Sequence, residues 1–167
     1  MEKRYFTSQV YNKDSELSEA EALKRTGYVV CSFSENKPEY AEIVEKGNIY
    51  RAIYYNQHLP PSESILQKQR SRKDKTPFEL VLPPEYVGSK EITKYYCFKA
   101  ECEFDFILEH HADSEGNLLL EIHRDENHNA TSSMEYEYDE MGETLFIREF
   151  NADGKMVSEL DYVDYYA

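Results

Sequence analysis

Residues 136–155 read Tyr-Glu-Tyr-Asp-Glu-Met-Gly-Glu-Thr-Leu-Phe-Ile-Arg-Glu-Phe-Asn-Ala-Asp-Gly-Lys. Two strand-forming runs, 133–138 and 144–150, flank Asp139-Glu-Met-Gly142, and Asn151-Ala-Asp-Gly154 follows before a third run at 156–162. Asp, Asn and Gly at these points supply the positive φ that tight hairpin loops demand. The pattern recurs at a fixed step. His110, Tyr136 and Tyr162 lie 26 residues apart, as do Leu108, Met134 and Leu160, and Glu109, Glu135 and Asp161; Gly116 and Gly142 keep the same step. A fixed period means one supersecondary unit used more than once. The unit is strand, turn, strand, and it predicts an antiparallel β-meander.

Working outward, Asp113-Ser-Glu-Gly116 and Asp125 to Asn129 are further turns around a strand at 118–122. Phe98, Ala100, Cys102, Phe104, Phe106 and Leu108 alternate with mostly charged residues, which predicts one long strand, bent or bulged. In the first half, 4–11, 28–33, 40–44 and 49–55 are strand-forming runs separated by Ser34-Glu-Asn-Lys37 and Gly47-Asn48. Residues 31–37 can be laid on 136–142, and Gly47-Asn48, Ile53 and Tyr55 on Gly154-Lys155, Leu160 and Tyr162, so the repeat is expected about three times. Asp14–Thr26 reads as a helix packed on the sheet, with a Ser18/Glu21 capping box and Gly27 at its C-terminal end. Prolines break the pattern at 60, 61, 77, 83 and 84, and residues 56–92 read as an irregular insertion or crossover, with a short helix started at Ser62 and reaching toward Arg70 and an edge strand or extended segment at 78–82. The fold class expected is mainly β, with one short N-terminal helix, as a single domain over 1–167.

The composition bounds the function. The chain has 167 residues, 40% hydrophobic and 14% aromatic, with 15 Tyr, 8 Phe and no Trp. So many aromatics in an acidic chain argue against wholesale disorder. The net charge is −14, which repels nucleic acid and anionic membranes and steers a basic partner inward. Cys31, Cys97 and Cys102 form no CxxC pair, so neither a disulfide framework nor a zinc site is expected. The N-terminal residues lack an apolar signal core and no stretch is long enough to span a bilayer, which together predict a cytoplasmic protein. Lys68 to Lys75 holds five cations and one Asp; the run reads as a solvated loop, or as a contact for an acidic or phosphate ligand.

Residues 136–155 resemble the YD-type repeat of Rhs proteins and the MORN-variant repeats of bacterial antitoxin and immunity proteins. That resemblance implies a small bacterial hairpin-repeat protein and transfers no functional residue.

The groupings that chemistry requires are not found. His110 and His111 are adjacent, so a strand turns them to opposite faces and only one can join His123 or His128; no H-E-x-x-H occurs. Ser62, Ser64 and Cys31 have no identifiable base, and no phosphate-binding glycine loop is present. No catalytic residue, metal ligand or cofactor is therefore assigned. Recognition is left, with Tyr as a rigid anchor and carboxylates for a cationic partner. The candidate partner-binding residues are Tyr54, Tyr55, Tyr95, Tyr96, Asp161, Asp164 and Tyr165. In each Tyr pair one ring should face the core and the other solvent. The function expected is that of an immunity- or antitoxin-like protein which binds a cognate toxin with a basic surface and occludes its active site. A general scaffold of hairpin repeats is the alternative, and an unrecognised enzyme comes third.

Overall fold

The computed structural model describes residues 2–7 and 15–162. The expected strand over 4–11 and helix from Asp14 each begin or end partly outside these residues, and so do the candidates Asp164 and Tyr165. The described residues hold thirteen strands and two short helices in a mostly antiparallel sheet, with β5 and β6 paired in parallel. The chain divides into two compact units, the first formed by Met1–Leu82 with Cys97–Phe104 and the second by Pro83–Tyr96 with Asp105–Ala167.

In the first unit, β1 (Glu2–Phe6), β2 (Glu16–Leu17), β3 (Gly27–Ser34), β4 (Lys37–Glu45), β5 (Asn48–Tyr54) and β6 (Phe78–Val81) run in the order β6-β5-β4-β3-β1-β2. Two-residue loops join β3 to β4 and β4 to β5. Glu35 and Asn36 take φ of 50° and 63°, and Lys46 and Gly47 take 50° and 77°. Two positive φ values in a two-residue loop match the right-handed twist of the strands beside it. β3 to β6 are buried on both faces: Cys31, Ala41 and Ile53 share one and Ala52, Phe78 and Leu80 the other, each at most 1% exposed. Phe78 stacks on Phe98 at 4.8 Å and meets Tyr54 edge-on at 6.2 Å. Burial pushes the Cys31 thiol up to about 12, so it packs as a small apolar group.

The helix read over Asp14–Thr26 is one turn, α1 (Glu19–Ala22). Its capping box is present, with Ser18 Oγ accepting from Glu21 N and the Glu21 carboxylate accepting from Ser18 N at 2.9 Å. One turn cannot recover the cost of nucleation alone, so competing pairings set its length. Leu17 is drawn into β2 opposite Tyr5, and Thr26 O accepts from Lys46 N at 2.6 Å. Gly27 therefore opens β3 rather than capping the helix.

Residues 56–92 form a crossover about half of which is regular, in α2, β6, β7 and the start of β8. Ser62 caps α2 (Glu63–Arg70), which turns Ile65 and Gln69, four apart, inward. The helix carries the chain from β5 to β6, which pairs with β5 in parallel. A parallel neighbour needs such a crossover. The edge strand expected at 78–82 is thus corrected: β6 is buried throughout and has β5 and the Cys97–Phe98 end of β8 (Lys90–Phe98) on its two sides. Glu79 in its centre is 3% exposed and pairs with Arg51, while Cys97 Sγ lies 3.9 Å from the same carboxylate. Removing one partner of a buried ion pair strands the other charge. Arg51→Met, which strands the Glu79 carboxylate, should therefore lower unfolding free energy by about 3 kcal/mol, read by urea denaturation, with Glu79→Ala in the same chain recovering most of the loss.

The second unit holds β7 (Glu85–Val87), most of β8, and β9 (Phe104–Ala112) beyond its first residue, then β10 (Leu118–Arg124), β11 (Ala130–Tyr138), β12 (Thr144–Asn151) and β13 (Met156–Asp161). It is an antiparallel meander in the order β8-β9-β10-β11-β12-β13, with β7 paired to β8. One turn geometry recurs along it. The N–H of the first turn residue donates to the carbonyl of the fifth, and the N–H of the fourth returns to the carbonyl of the first, at Asp113, Asp125, Asp139 and Asn151. The fourth residue is left-handed: Gly116, His128, Gly142 and Gly154 have φ of 89°, 65°, 81° and 74°. This is a type I turn followed by a bulge residue. In all four, the Asx side chain accepts from the backbone N–H groups two and four residues on, at 2.8–3.1 Å.

Lys99–Glu103 makes the same two backbone hydrogen bonds, with Cys102 at φ 67° in the glycine position. The single long strand expected from Phe98 to Leu108 is therefore two strands, β8 and β9, with a turn between them. The five turns start at residues 99, 113, 125, 139 and 151, alternately 14 and 12 apart, so the 26-residue step is one pair of hairpins. The first-half hairpins use two-residue loops instead and do not share this geometry. A Cβ at Gly142 would touch nothing within 4 Å, so Gly142→Ala should cost about 1 kcal/mol through backbone strain alone. Cys102→Gly combined with Lys99→Asp should raise the thermal midpoint.

Candidate partner-binding surfaces

In the first unit, Tyr54 and Tyr55 sit where β5 ends. Tyr54 is 6% exposed; its hydroxyl accepts from Gln69 Nε2 at 2.9 Å and its ring lies 4.9 Å from that of Tyr40. Tyr55 is half-buried. With Tyr40, Lys37, Asn56 and Ile65 they line an open groove of about 460 Å³. The basic run is partly drawn into the wall behind it. Arg72 Nη1 donates to Tyr40 Oη at 2.8 Å and to Glu42 at 3.0 Å, and its Nε and Nη2 fork onto Asp74 at 2.9 and 2.7 Å. That fork holds the Asp74 carboxyl down at about 2. Lys68 Nζ stands 3.7 Å from the centre of the Tyr40 ring. Burial lowers the Lys68 ammonium from its usual range. The solvated-loop reading of 68–75 thus fails at Arg72, which is held within the fold, while Lys68 stays exposed beside the Tyr40 ring.

In the second unit, strand alternation sorts the candidates onto two faces. Tyr96 is 9% exposed and edges the His128 ring at 6.4 Å; Tyr95, half-buried, lies 4.8 Å from the His110 ring. His110 Nε2 meets Glu121 Oε2 at 2.9 Å and His123 Nε2 meets Oε1 of the same carboxylate at 3.2 Å. Phe106 stacks on His123. On the opposite face Glu109 is held by His111 at 2.7 Å and by both Nε and Nη2 of Arg124. The adjacent histidines are thus separated by the pleat, and each joins a carboxylate rather than a metal centre. Among the described residues no group of three His, Cys, Asp or Glu is placed to hold a metal ion. The 26-residue step returns each position to the same face two strands on: Met134 pairs with Glu121, Glu135 with Arg148, and Asp161 with Phe146.

From Leu118 to Asp161 no residue is fully buried. Both faces of β10 to β13 are wet, although they carry Leu120, Ile122, Met134, Tyr136, Phe146, Ile147 and Phe150. Sequence reasoning did not name the exposed apolar residues of this unit: Tyr86 is 69% and Val87 62% exposed at the tip of a hairpin, and Met156, Val157 and Leu160 are 50–57% exposed on β13. Charge is sorted too. The first unit has 14 acidic and 14 basic residues and the second has 19 and 5, so the whole net charge of −14 belongs to the second. A running count of charge along the chain would have found this.

The Glu121 carboxyl is held below 4.5, first by its hydrogen bond from His110 and then by that from His123, against the opposing effect of burial. A depressed carboxylate stabilises the fold above its unfolded value, and that stability is lost as the pH falls through 4.5 toward the folded value. Acid unfolding below about pH 4.5 should therefore be shallower in Glu121→Gln, measured by denaturant titration at pH 7 and pH 3.5. Comparison of the chain with protein-family models, with curated proteins and with solved structures found no significant match.

Proposed function

We propose that this protein is an immunity- or antitoxin-like binder that neutralises a basic protein toxin in the bacterial cytoplasm by covering its active site. The observation that carries this reading is that the whole net charge falls within the second unit, whose strands β10 to β13 hold no fully buried residue on either face. A monomeric domain normally covers a sheet that carries this many aliphatic and aromatic side chains. Carboxylates around an apolar surface suit a partner with an apolar contact area and a cationic rim. Opposite charge speeds the encounter, and the rigid Tyr and Phe rings supply contact area at low entropy cost. The same field disfavours DNA, RNA and anionic lipid as partners.

The test is binding and inhibition by the whole chain against the proteins encoded beside it. A stoichiometric complex that silences a toxic activity is the expected result. The double substitution Glu135→Lys, Glu137→Lys should slow association at least tenfold at low salt, measured by stopped-flow, with the gap closing at high salt. If no neighbouring gene product binds, the reading fails.

A further inference from the structure

β13 is the outer strand of the second unit: it pairs with β12, and no other described strand pairs with it. Proteins blunt such edges with charge, brevity or proline, because an open row of N–H and C=O groups recruits other strands. Here the edge runs six residues, every one exposed, and includes Met156, Val157 and Leu160. Ladder geometry shows which backbone groups face outward. Tyr162 N donates to Leu145 O at 2.8 Å, and Asn151 N donates to Lys155 O at 3.0 Å. Alternate residues of an antiparallel strand turn to the same neighbour. Counted back from Tyr162, Leu160 and Ser158 turn inward to β12 and Glu159 outward; the register shifts at Val157, between the pairs Glu149–Ser158 and Phe150–Met156, so Met156, counted from Lys155, also turns its N–H and C=O away from β12.

We infer that this edge accepts a strand from the protein partner, an extended segment with Lys or Arg at alternate positions. This rests on the binding role proposed above and specifies how the partner is held. The occupant follows from charge. From Asp105 to Ala167 the chain carries 17 acidic and 3 basic residues, and Glu159 stands on the edge itself. A second copy would bring the same negative field to the contact. A cationic strand lowers that field, places apolar side chains beside Met156, Val157 and Leu160, and satisfies the outward backbone groups. Strand addition draws affinity from main-chain bonds and specificity from alternate side chains.

The experiment uses the full chain and the synthetic peptide acetyl-Lys-Val-Lys-Val-Lys-Val-Lys-amide, followed by amide exchange in NMR. Protection of the Met156 and Glu159 amides on adding peptide is expected, at least tenfold over the free protein. Glu159→Pro removes one outward donor while leaving the β12 ladder intact, and should weaken the peptide at least tenfold; Glu159→Gln should bind nearly as the parent does. Continued protection of the Ser158 and Leu160 amides in Glu159→Pro verifies that β13 is still in place, and Met156→Pro serves as a second probe if it is not. Equal binding by the proline variants, or peptide bound with Met156 and Glu159 unprotected, overturns the inference. So does protection of those amides that rises with protein concentration and no peptide, which would assign the edge to a second copy. Peptide at the edge with no toxin bound by the chain would sink the toxin reading alone. A toxin bound with the Glu159 amide unprotected would sink the edge alone.

Discussion

An antiparallel sheet with no layer over it is held by its turns and its cross-strand pairs, and the second unit depends on that constraint. A five-residue loop is repeated so that the four reversals from β9 to β13 are set locally, each by one left-handed residue and one Asx side chain that captures two backbone N–H groups. With the reversals fixed, register follows, and register decides what shares a face. It brings His110 onto Glu121 and sets Arg148 between Glu137 and Glu159 at 2.9 and 2.6 Å. The half-buried pairs do the work that a buried core does in the first unit. Exposed ion pairs are individually weak, so the turns carry the specification of the fold.

The first unit solves the same problem differently. Its strands bury small and aromatic residues completely, and its one parallel pairing is bridged by a helix and locked by the buried Arg51–Glu79 pair. It is also electrically neutral in sum. The second unit is acidic and open. One chain thus joins a conventionally packed unit to one whose surface is available for recognition, which is the physical basis for reading the second as the binding element.

How much was legible in the sequence can be traced residue by residue. The meander from Leu118 onward was readable because Asp, Asn and Gly mark its turns and because the 26-residue step keeps each side chain on its face. The turn at Lys99–Glu103 was not, since Lys99 replaces the Asx and Cys102 replaces the glycine, while Phe98 to Leu108 keeps a strand-like alternation across it. The Ser18–Glu21 box located a helix start correctly, but its length was set by Leu17 and Thr26, whose partners lie elsewhere in the sequence. Prolines at 77, 83 and 84 suggested an edge at β6; they in fact bracket a buried strand, and Pro77, which lacks a donor, still accepts from Ala52 N of β5 at 3.1 Å. Of the candidate anchors, Tyr54 and Tyr96 are the buried members of their pairs and Tyr55 and Tyr95 the half-buried ones. Spacing predicts which face a ring takes, not what lies over it, so Tyr86 and the apolar residues of β13 escaped notice.

The central claim is that the acidic sheet, not the groove of the first unit, meets the partner. Hydrogen–deuterium exchange of the complex with a cognate toxin tests it most directly, because each strand reports separately. New protection is expected along β10 to β13, within residues 118–161, with residues 34–65 unchanged. Protection confined to 34–65, around Tyr40, Tyr54 and Tyr55, would contradict it.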